Sequence, residues 1–289
     1  MWLPALLAAT LGFGEADAEL ALRTAEGLVA DYTPRDAGTV DGYRAATYLM
    51  DRASAAGGDV RRDRFSAMTP KGPRWFTNLE CEIKLDASRP WVVFLSHYDT
   101  KPGVACPGAN DGASTSGLLV ALADVLARNR RDLPFNVLLV WTDGEECFER
   151  YTPDDGFWGA RRAAERLKAS GRKVKAVVCL DMLGDRDLKI VLPRNASPKL
   201  RKVTLAAAKK AGVADKVVAT DDLVKDDHLA FLRAGFPAVE LIDFEYGSAP
   251  GRNDWWHTPA DTMDKISEDS LLSSGRLVAA FLNILLYGK

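Results

Sequence analysis

Histidine and cysteine are scarce in this chain, with three and four residues among 289. The cysteines, Cys81, Cys106, Cys147 and Cys179, show no C-x-x-C spacing, so no redox or metal motif of that type is present. Charge of one sign is also lacking. Thirty-eight Lys and Arg stand against 40 Asp and Glu, for a formal net charge of −2, and the basic residues are spread along the chain. Without a basic stripe, neither nucleic acid nor an anionic membrane surface is expected as a partner. No G-x-S-x-G elbow occurs, which removes serine hydrolysis of that class. Nor is there an internal repeat, a low-complexity tract or a linker rich in Gly, Ser or Pro. One domain of 47% hydrophobic residues is the simplest account.

The N-terminus has a texture of its own. Residues 3–13 are apolar over the length of a signal-peptide core, and Ala16-Asp17-Ala18 fits a small-residue cleavage site. The stretch falls short of the ~20 apolar residues that span a bilayer, and no other segment reaches that length. No Lys or Arg precedes it. Residues 1–18 are therefore expected to be a signal peptide and 19–289 a single catalytic domain, secreted or periplasmic. The competing reading is an ordinary helix packed on the body. The even cysteine count agrees with export. Cys179, in Val177-Val178-Cys179-Leu180, is expected as a buried free thiol. Cys106 and Cys147 lie on loops that should converge, and a bridge between them is a hypothesis.

Apolar spacing predicts helices over 15–30 and 40–56, with Gly57-Gly58 ending the second. Alternating patterns at 60–65 and 77–85 predict strands of an antiparallel flank. The run Trp91-Val92-Val93-Phe94-Leu95 is apolar at every position, as in a strand covered on both faces. From there helices (113–128, 160–169, 198–211, 228–234, 268–286) alternate with strands (135–141, 174–180, 238–242). This order predicts an α/β fold whose single mixed, mainly parallel central sheet carries helices on both faces.

In such sheets, sites form beyond the carboxyl ends of the strands. That is where the acids and histidines gather. The strand at 91–95 runs into His97-Tyr98-Asp99, and that at 135–141 into Asp143-Gly144-Glu145-Glu146. Asp181 follows the next strand. Gly108-Ala109-Asn110-Asp111-Gly112 sits between the first two, and Trp255-Trp256-His257-Thr258 lies near the end. Taken singly, Asp111 reads as a helix cap, a strand-end histidine as a surface residue and the glutamate pair as a solvated patch. Taken together they differ: two of the three histidines, His97 and His257, fall inside these constellations. Carboxylate and neutral imidazole are ligands that zinc accepts, and a bound divalent cation relieves the repulsion of clustered acids.

The ordered series His97-x-Asp99, Gly108-x-Asn110-Asp111-Gly112, Asp143-Gly144-Glu145-Glu146, Asp181 and His257-Thr258-x-x-Asp261-Thr262 resembles the zinc aminopeptidase superfamily that includes the glutaminyl cyclases. The resemblance runs from about Val40 to the C-terminus. It implies Asp111, Glu146 and His257 as zinc ligands, and Glu145 as general acid/base. His97 and Asp181 would bind metal directly if two zinc ions are held, or orient the ligands and share protons if one is. It also implies a cis peptide after Asp111, and a substrate that is a peptide with a free N-terminus. The protein is expected to act as a monomer.

The branch within the superfamily turns on a few positions. Asp226-Asp227-His228-Leu229-Ala230-Phe231-Leu232-Arg233-Ala234-Gly235-Phe236-Pro237 is similar to the cyclase signature, where Asp226 would join Asp181 in a network near the reacting groups. The plainer role for Asp226 and Asp227 is to cap the helix that follows. Trp256 matches an aromatic covering the cyclase pocket, and Tyr151-Thr152-Pro153-x-Asp155 resembles the cyclase loop. Against this, Glu240 stands where animal cyclases tend to have His, Tyr151 replaces a tryptophan, and Ser96 and Ser116 replace a cysteine pair. His257-Thr258-Pro259-Ala260-Asp261-Thr262 reads more like an aminopeptidase. A carboxylate at Glu240 near the pocket would bind a substrate ammonium and suit a peptidase. The resemblance favours a cyclase making pyroglutamate from N-terminal glutamine, with Glu145, Asp181 and Asp226 as its proton-handling groups. A zinc aminopeptidase is the alternative and a non-catalytic receptor the third reading.

Overall fold

Every residue of β3 (Trp91–His97) and β4 (Asn136–Thr142) is buried, and period-two geometry explains why Trp91–Leu95 and Val137–Trp141 are apolar at every position. Val92, Phe94, Val137 and Leu139 face one layer of helices, while Trp91, Val93, Leu138 and Val140 face the other. The computed structural model, which describes residues 10–287, builds its centre on these strands.

Their neighbours are β1 (Asp59–Thr69), β2 (Gly72–Ile83), β5 (Val174–Asp181), β6 (Ile190–Leu192), β7 (Val217–Ala219) and β8 (Ala238–Asp243). The eight strands form one sheet in the order β1-β2-β4-β3-β5-β8-β6-β7. The pairs β4-β3, β3-β5, β5-β8 and β6-β7 are parallel. The hairpin flank β1-β2-β4 and the pair β6-β8 are antiparallel. The mixed, mainly parallel α/β sheet is thus as expected. Strands β6 and β7 are the elements the periodicity did not reveal, because three residues are too few to show a period.

The larger helical layer holds α1 (Glu15–Asp31), α2 (Val40–Ala55), α3 (Thr115–Arg128), α5 (Pro198–Ala211) and α7 (Glu268–Tyr287). The opposite layer holds α4 (Trp158–Ala169) and α6 (His228–Ala234), packed on Val93, Leu95 and Val177. Two helix starts show why the chain turns where it does. Thr39 accepts a hydrogen bond from Gly42 N, and Ser197 accepts one from Leu200 N with Pro198 at the first helical position. Helix α7 has the length and composition to cross a membrane, but 56% of its most apolar stretch is buried in the body, where it packs on α5 and α1. Its hydropathy is that of a core helix.

Part of the expected leader belongs to this core. Residues 1–9 lie outside the described residues, but Leu11 and Phe13 are each only 5% exposed. The amide and carbonyl of Leu11 both bond Asn283 on α7, at 2.9 Å. Phe13 packs so closely on Gly275 that a β-carbon there would lie 2.2 Å from the ring. Cleavage after Ala18 would remove both side chains and the first turn of α1. A chain beginning at Glu19 should accordingly be less stable than one beginning at Thr10 by ~3 kcal/mol or more, the burial of two large apolar side chains. Urea unfolding of the two forms checks this, and equal midpoints with equal slopes would show that the segment contributes nothing.

Candidate active site

The register of the sheet places the chemistry. His97 pairs with Thr142 across β3 and β4, and Asp181 ends β5 beside Ile242. His97, the Asp143–Glu146 turn and Asp181 therefore emerge side by side at the carboxyl edge. Residues 109–114 form a wide turn above them. Gly108 and Gly112 take positive φ of +61° and +94° there, conformations open to glycine at little cost. The turn presents Asp111 between two histidines. His97 Nε2 lies 3.0 Å from Asp111 Oδ1 and 3.2 Å from Asp181 Oδ1. His257 Nε2 lies 2.7 Å from Glu146 Oε1 and 3.3 Å from Asp111 Oδ2.

Two donor groups result, His97/Asp111/Asp181 and Asp111/Glu146/His257, and within each the ligating atoms lie within 4.8 Å of one another. They share Asp111. Oxygen and imidazole donors at this spacing fit divalent cations of the zinc class. Electrostatics agrees. Burial opposes the imidazolium form of both histidines, yet the hydrogen bonds they donate to the carboxylates outweigh it. They hold His97 well above its ordinary value and His257 at about 9. Negative charge gathered this densely around two imidazoles would suit a bound cation.

Supporting groups fix these ligands. Asp99 accepts from Glu145 N and Glu146 N, both at 3.2 Å, while its carbonyl receives His97 Nδ1 at 3.2 Å. That bond leaves Nε2 facing Asp111 and Asp181, as metal-ligating histidines require. Asp155 accepts from Phe148, Glu149 and Arg150 N and closes the loop after the glutamates. His257 is held at φ +55°, a strained conformation for a residue with a side chain, costing about 1–3 kcal/mol. The indole of Trp256 stacks on its ring at 3.8 Å.

The site opens into a cavity of about 410 Å³. Asp111, Glu145, Glu146, Asp181 and Asp226 line its floor, and Val191, Val218, Leu223, Phe244 and Trp256 its walls. Tyr151 closes one side. Its hydroxyl lies 2.8 Å from Glu146 Oε2 and 3.2 Å from Glu145 Oε2. Burial and then the charge of Glu146 and Asp226 push the Glu145 carboxyl well above the usual range. Asp226 is raised too, by burial and then by Glu240 and Asp181.

Residues 78–282 match the profile of peptidase family M28. The chain belongs to that family. A glutaminyl-peptide cyclotransferase of Drosophila melanogaster is 29% identical to this M28 chain, covering 85% of it and 76% of the fly protein. The crystal structure of an Acidobacteriales bacterium glutaminyl cyclase superposes with a TM-score of 0.88 at 30% identity, over 100% of each chain. A leucine aminopeptidase precursor from Bacteroides thetaiotaomicron gives a TM-score of 0.82 at 22% identity, over 98% of this chain and 100% of that one. That likeness is one of fold alone.

The structure brings together nine of the ten candidate residues: His97, Asp111, Glu145, Glu146, Tyr151, Asp181, Asp226, Trp256 and His257. Glu240 is the exception. It is fully buried on β8 and lines no part of the cavity, because its side chain points to the interior beside Cys179 and Asp226. His228 Nδ1 stands 3.0 Å from Glu240 Oε2 without the alignment of a hydrogen bond. Three further expectations are corrected. All four cysteines are free; the Cys147 sulfur and carbonyl instead take the ammonium of Lys101, and Cys106 lies near Asp261. The only cis peptide among the described residues is Thr33–Pro34; the turn after Asp111 is made by Gly112 in the left-handed region. Asp111 caps no helix, and Asp227, at the N-cap position of α6, makes no side-chain cap hydrogen bond. Helix α3 starts at Thr115, and the Asp227 carboxylate accepts from Thr142 Oγ1 at 2.6 Å.

Three supporting residues escaped the sequence reading. Lys101 stands 3.5 Å from Glu146 Oε2. Arg35 is wholly buried under the 108–111 turn. Asp261 accepts from Asn110 and Asp111 N; it was visible as part of a motif but had no role.

His228 supplies a test of pH dependence. Burial, the dominant cause, pushes its pKa down to about 4. Below the ordinary value of about 6.5 the unfolded chain takes a proton that the folded protein refuses. The stabilisation is thus complete above pH 6.5 and lost as pH falls toward 4. Between pH 7 and pH 4.5 the stability gap between wild type and His228→Gln should close by roughly 2–3 kcal/mol. Urea unfolding at the two pH values measures the gap, and a constant one refutes a neutral buried histidine.

Proposed function

We propose that this M28 chain is a zinc-dependent glutaminyl cyclase, converting the N-terminal glutamine of peptides to pyroglutamate with release of ammonia. The observation that carries the reading is the placement of Asp226 in the cavity floor with Glu145 and Asp181. It adds a proton-sharing acid to the ligand site, and the similarity to two glutaminyl cyclases over most of the chain supports the same assignment.

Asp111, Glu146 and His257 would hold the zinc, which would supply a Lewis acid for the side-chain amide of the substrate. The rest falls to the chain's own groups. Glu145 accepts a proton from the substrate's neutral α-amine as that nitrogen bonds to the amide carbon. It then returns the proton to the departing nitrogen, which leaves as ammonia when the original carbon–nitrogen bond breaks. No water is consumed. Its raised affinity for a proton, set by burial and by Glu146 and Asp226, suits a group that must hold one between the two steps. Asp226 and Asp181 share protons with it. The walls of Trp256, Phe244 and Leu223 exclude water and hold amine against amide, the orientation from which an intramolecular attack gains most.

A second reading is favoured by the second donor group. His97, Asp111 and Asp181 form a complete triad, and with an ion in each group the chain would suit an aminopeptidase. There Glu145 would take its proton from water rather than from the substrate amine.

A glutamine-leading and a leucine-leading dipeptide, offered side by side, separate the readings. Ammonia from the first and no free leucine from the second is the outcome expected here. Free leucine without ammonia would hand the site to the peptidase. A Glu145→Gln variant that binds zinc normally should lose ~10²–10⁴ in kcat if the carboxylate shuttles the proton.

A further inference from the structure

Arg35 lies outside any element, in the connection between α1 and α2, and is 0% exposed. A buried guanidinium ordinarily demands a carboxylate partner. This one makes no ion pair among the described contacts. Its hydrogen bonds all run to main-chain oxygens: Nε to Tyr98 O at 2.5 Å, Nη1 to Pro107 O at 2.7 Å, and Nη2 to Gly108 O at 2.6 Å and Asp111 O at 3.4 Å. Three of the four belong to the turn that presents Asp111. The fixed fork of the guanidinium suits this task, since five donors in one plane set the relative positions of the oxygens they bind.

The turn is shaped to admit the group. A β-carbon at Gly108 would lie 2.7 Å from Arg35 Nη2 and 2.7 Å from Asp111 O. The glycine therefore serves the approach of the guanidinium as well as its own positive φ. On the other side of the turn, the Asp261 carboxylate accepts from Asn110 N at 2.8 Å and Asp111 N at 3.2 Å. The turn's carbonyls are held by a cation and its amides by an anion, with the shared metal-binding carboxylate between them.

We propose that Arg35 is the positioning residue of the metal site, fixing the main chain at Asp111 so that its two oxygens face both histidines. The inference rests on the reading that Asp111 binds zinc in the functional protein. It extends that reading to a residue that touches neither metal nor substrate.

Zinc affinity, measured by competition with a chromogenic chelator on Arg35→Met protein, gives the test. The metal-free variant is first checked for wild-type circular dichroism. Loss of a group that orients a ligand weakens metal binding by about 10- to 100-fold, and a fall of that size is expected. At saturating zinc, kcat should drop while KM stays near wild type, because the cavity walls are untouched. An affinity indistinguishable from wild type would overturn the proposal. Should Arg35→Met fail to fold, Arg35→Lys and Asp261→Asn answer the same question. Lysine retains the charge but reaches fewer of the oxygens, so wild-type affinity in Arg35→Lys would show that geometry is not what Arg35 supplies. Asparagine cannot accept both amides as the carboxylate does, and weakened zinc binding is expected there too. Since the chelator assay needs no peptide, a wild type that binds zinc but makes no pyroglutamate would sink the cyclase assignment and leave the Arg35 result standing. Unchanged affinity in a variant of an active enzyme would sink Arg35 alone.

Discussion

Five carboxylates, Asp111, Glu145, Glu146, Asp181 and Asp226, share one end of a parallel sheet, each no more than 5% exposed. Like charges at this separation and in this medium repel strongly, and much of the surrounding architecture answers that repulsion. His97 and His257 reach in from opposite sides and Lys101 stands behind Glu146. Backbone amides point at Asp99 and Asp261, which in turn steady the glutamate and aspartate turns. The two donor groups around the histidines are spaced so that a bound cation would complete the neutralisation. Burial pushes Glu145 and Asp226 well up and raises Glu146 and Asp181 as well, whereas hydrogen bonds to His257 and His97 hold Asp111 down against its burial. The same crowding that makes the site costly to assemble therefore yields both candidate metal ligands and acids that hold protons.

The sheet is what allows acids to be brought so close. Strands β3, β4 and β5 are anchored on both faces by apolar side chains, so their carboxyl ends cannot drift apart as the charges repel. A site on loops alone would relax outward. Here the turns that carry Asp111 and the glutamates leave rigid strands and are tied back within a few residues.

How far the sequence could be read follows from the range of each interaction. The central strands were legible because burial on both faces leaves a continuous apolar run. The ligands were legible because strand ends collect them and their order along the chain is distinctive. Strands β6 and β7 carried too little pattern. Glu240 was misplaced because alternation along a strand says that residues face opposite sides, not which side the cavity occupies. Its neighbours Val239 and Leu241 both pack in the larger helical layer, which turns Glu240 into the opposite, closed side. Arg35 left no trace in composition or period. Its role exists only through main-chain oxygens more than 60 residues away, and a backbone acceptor has no sequence signature.

The division of labour between inner and outer strands has a corollary. His97, Asp181 and the Glu145–Glu146 turn come from the stiff middle of the sheet, whereas the cavity walls draw on Val191 of β6, Val218 of β7 and Phe244 just beyond β8. Those peripheral segments are short, and changes in them leave the ion-holding frame untouched. A frame built this way can accept a redrawn rim without losing the placement of its buried acids and histidines.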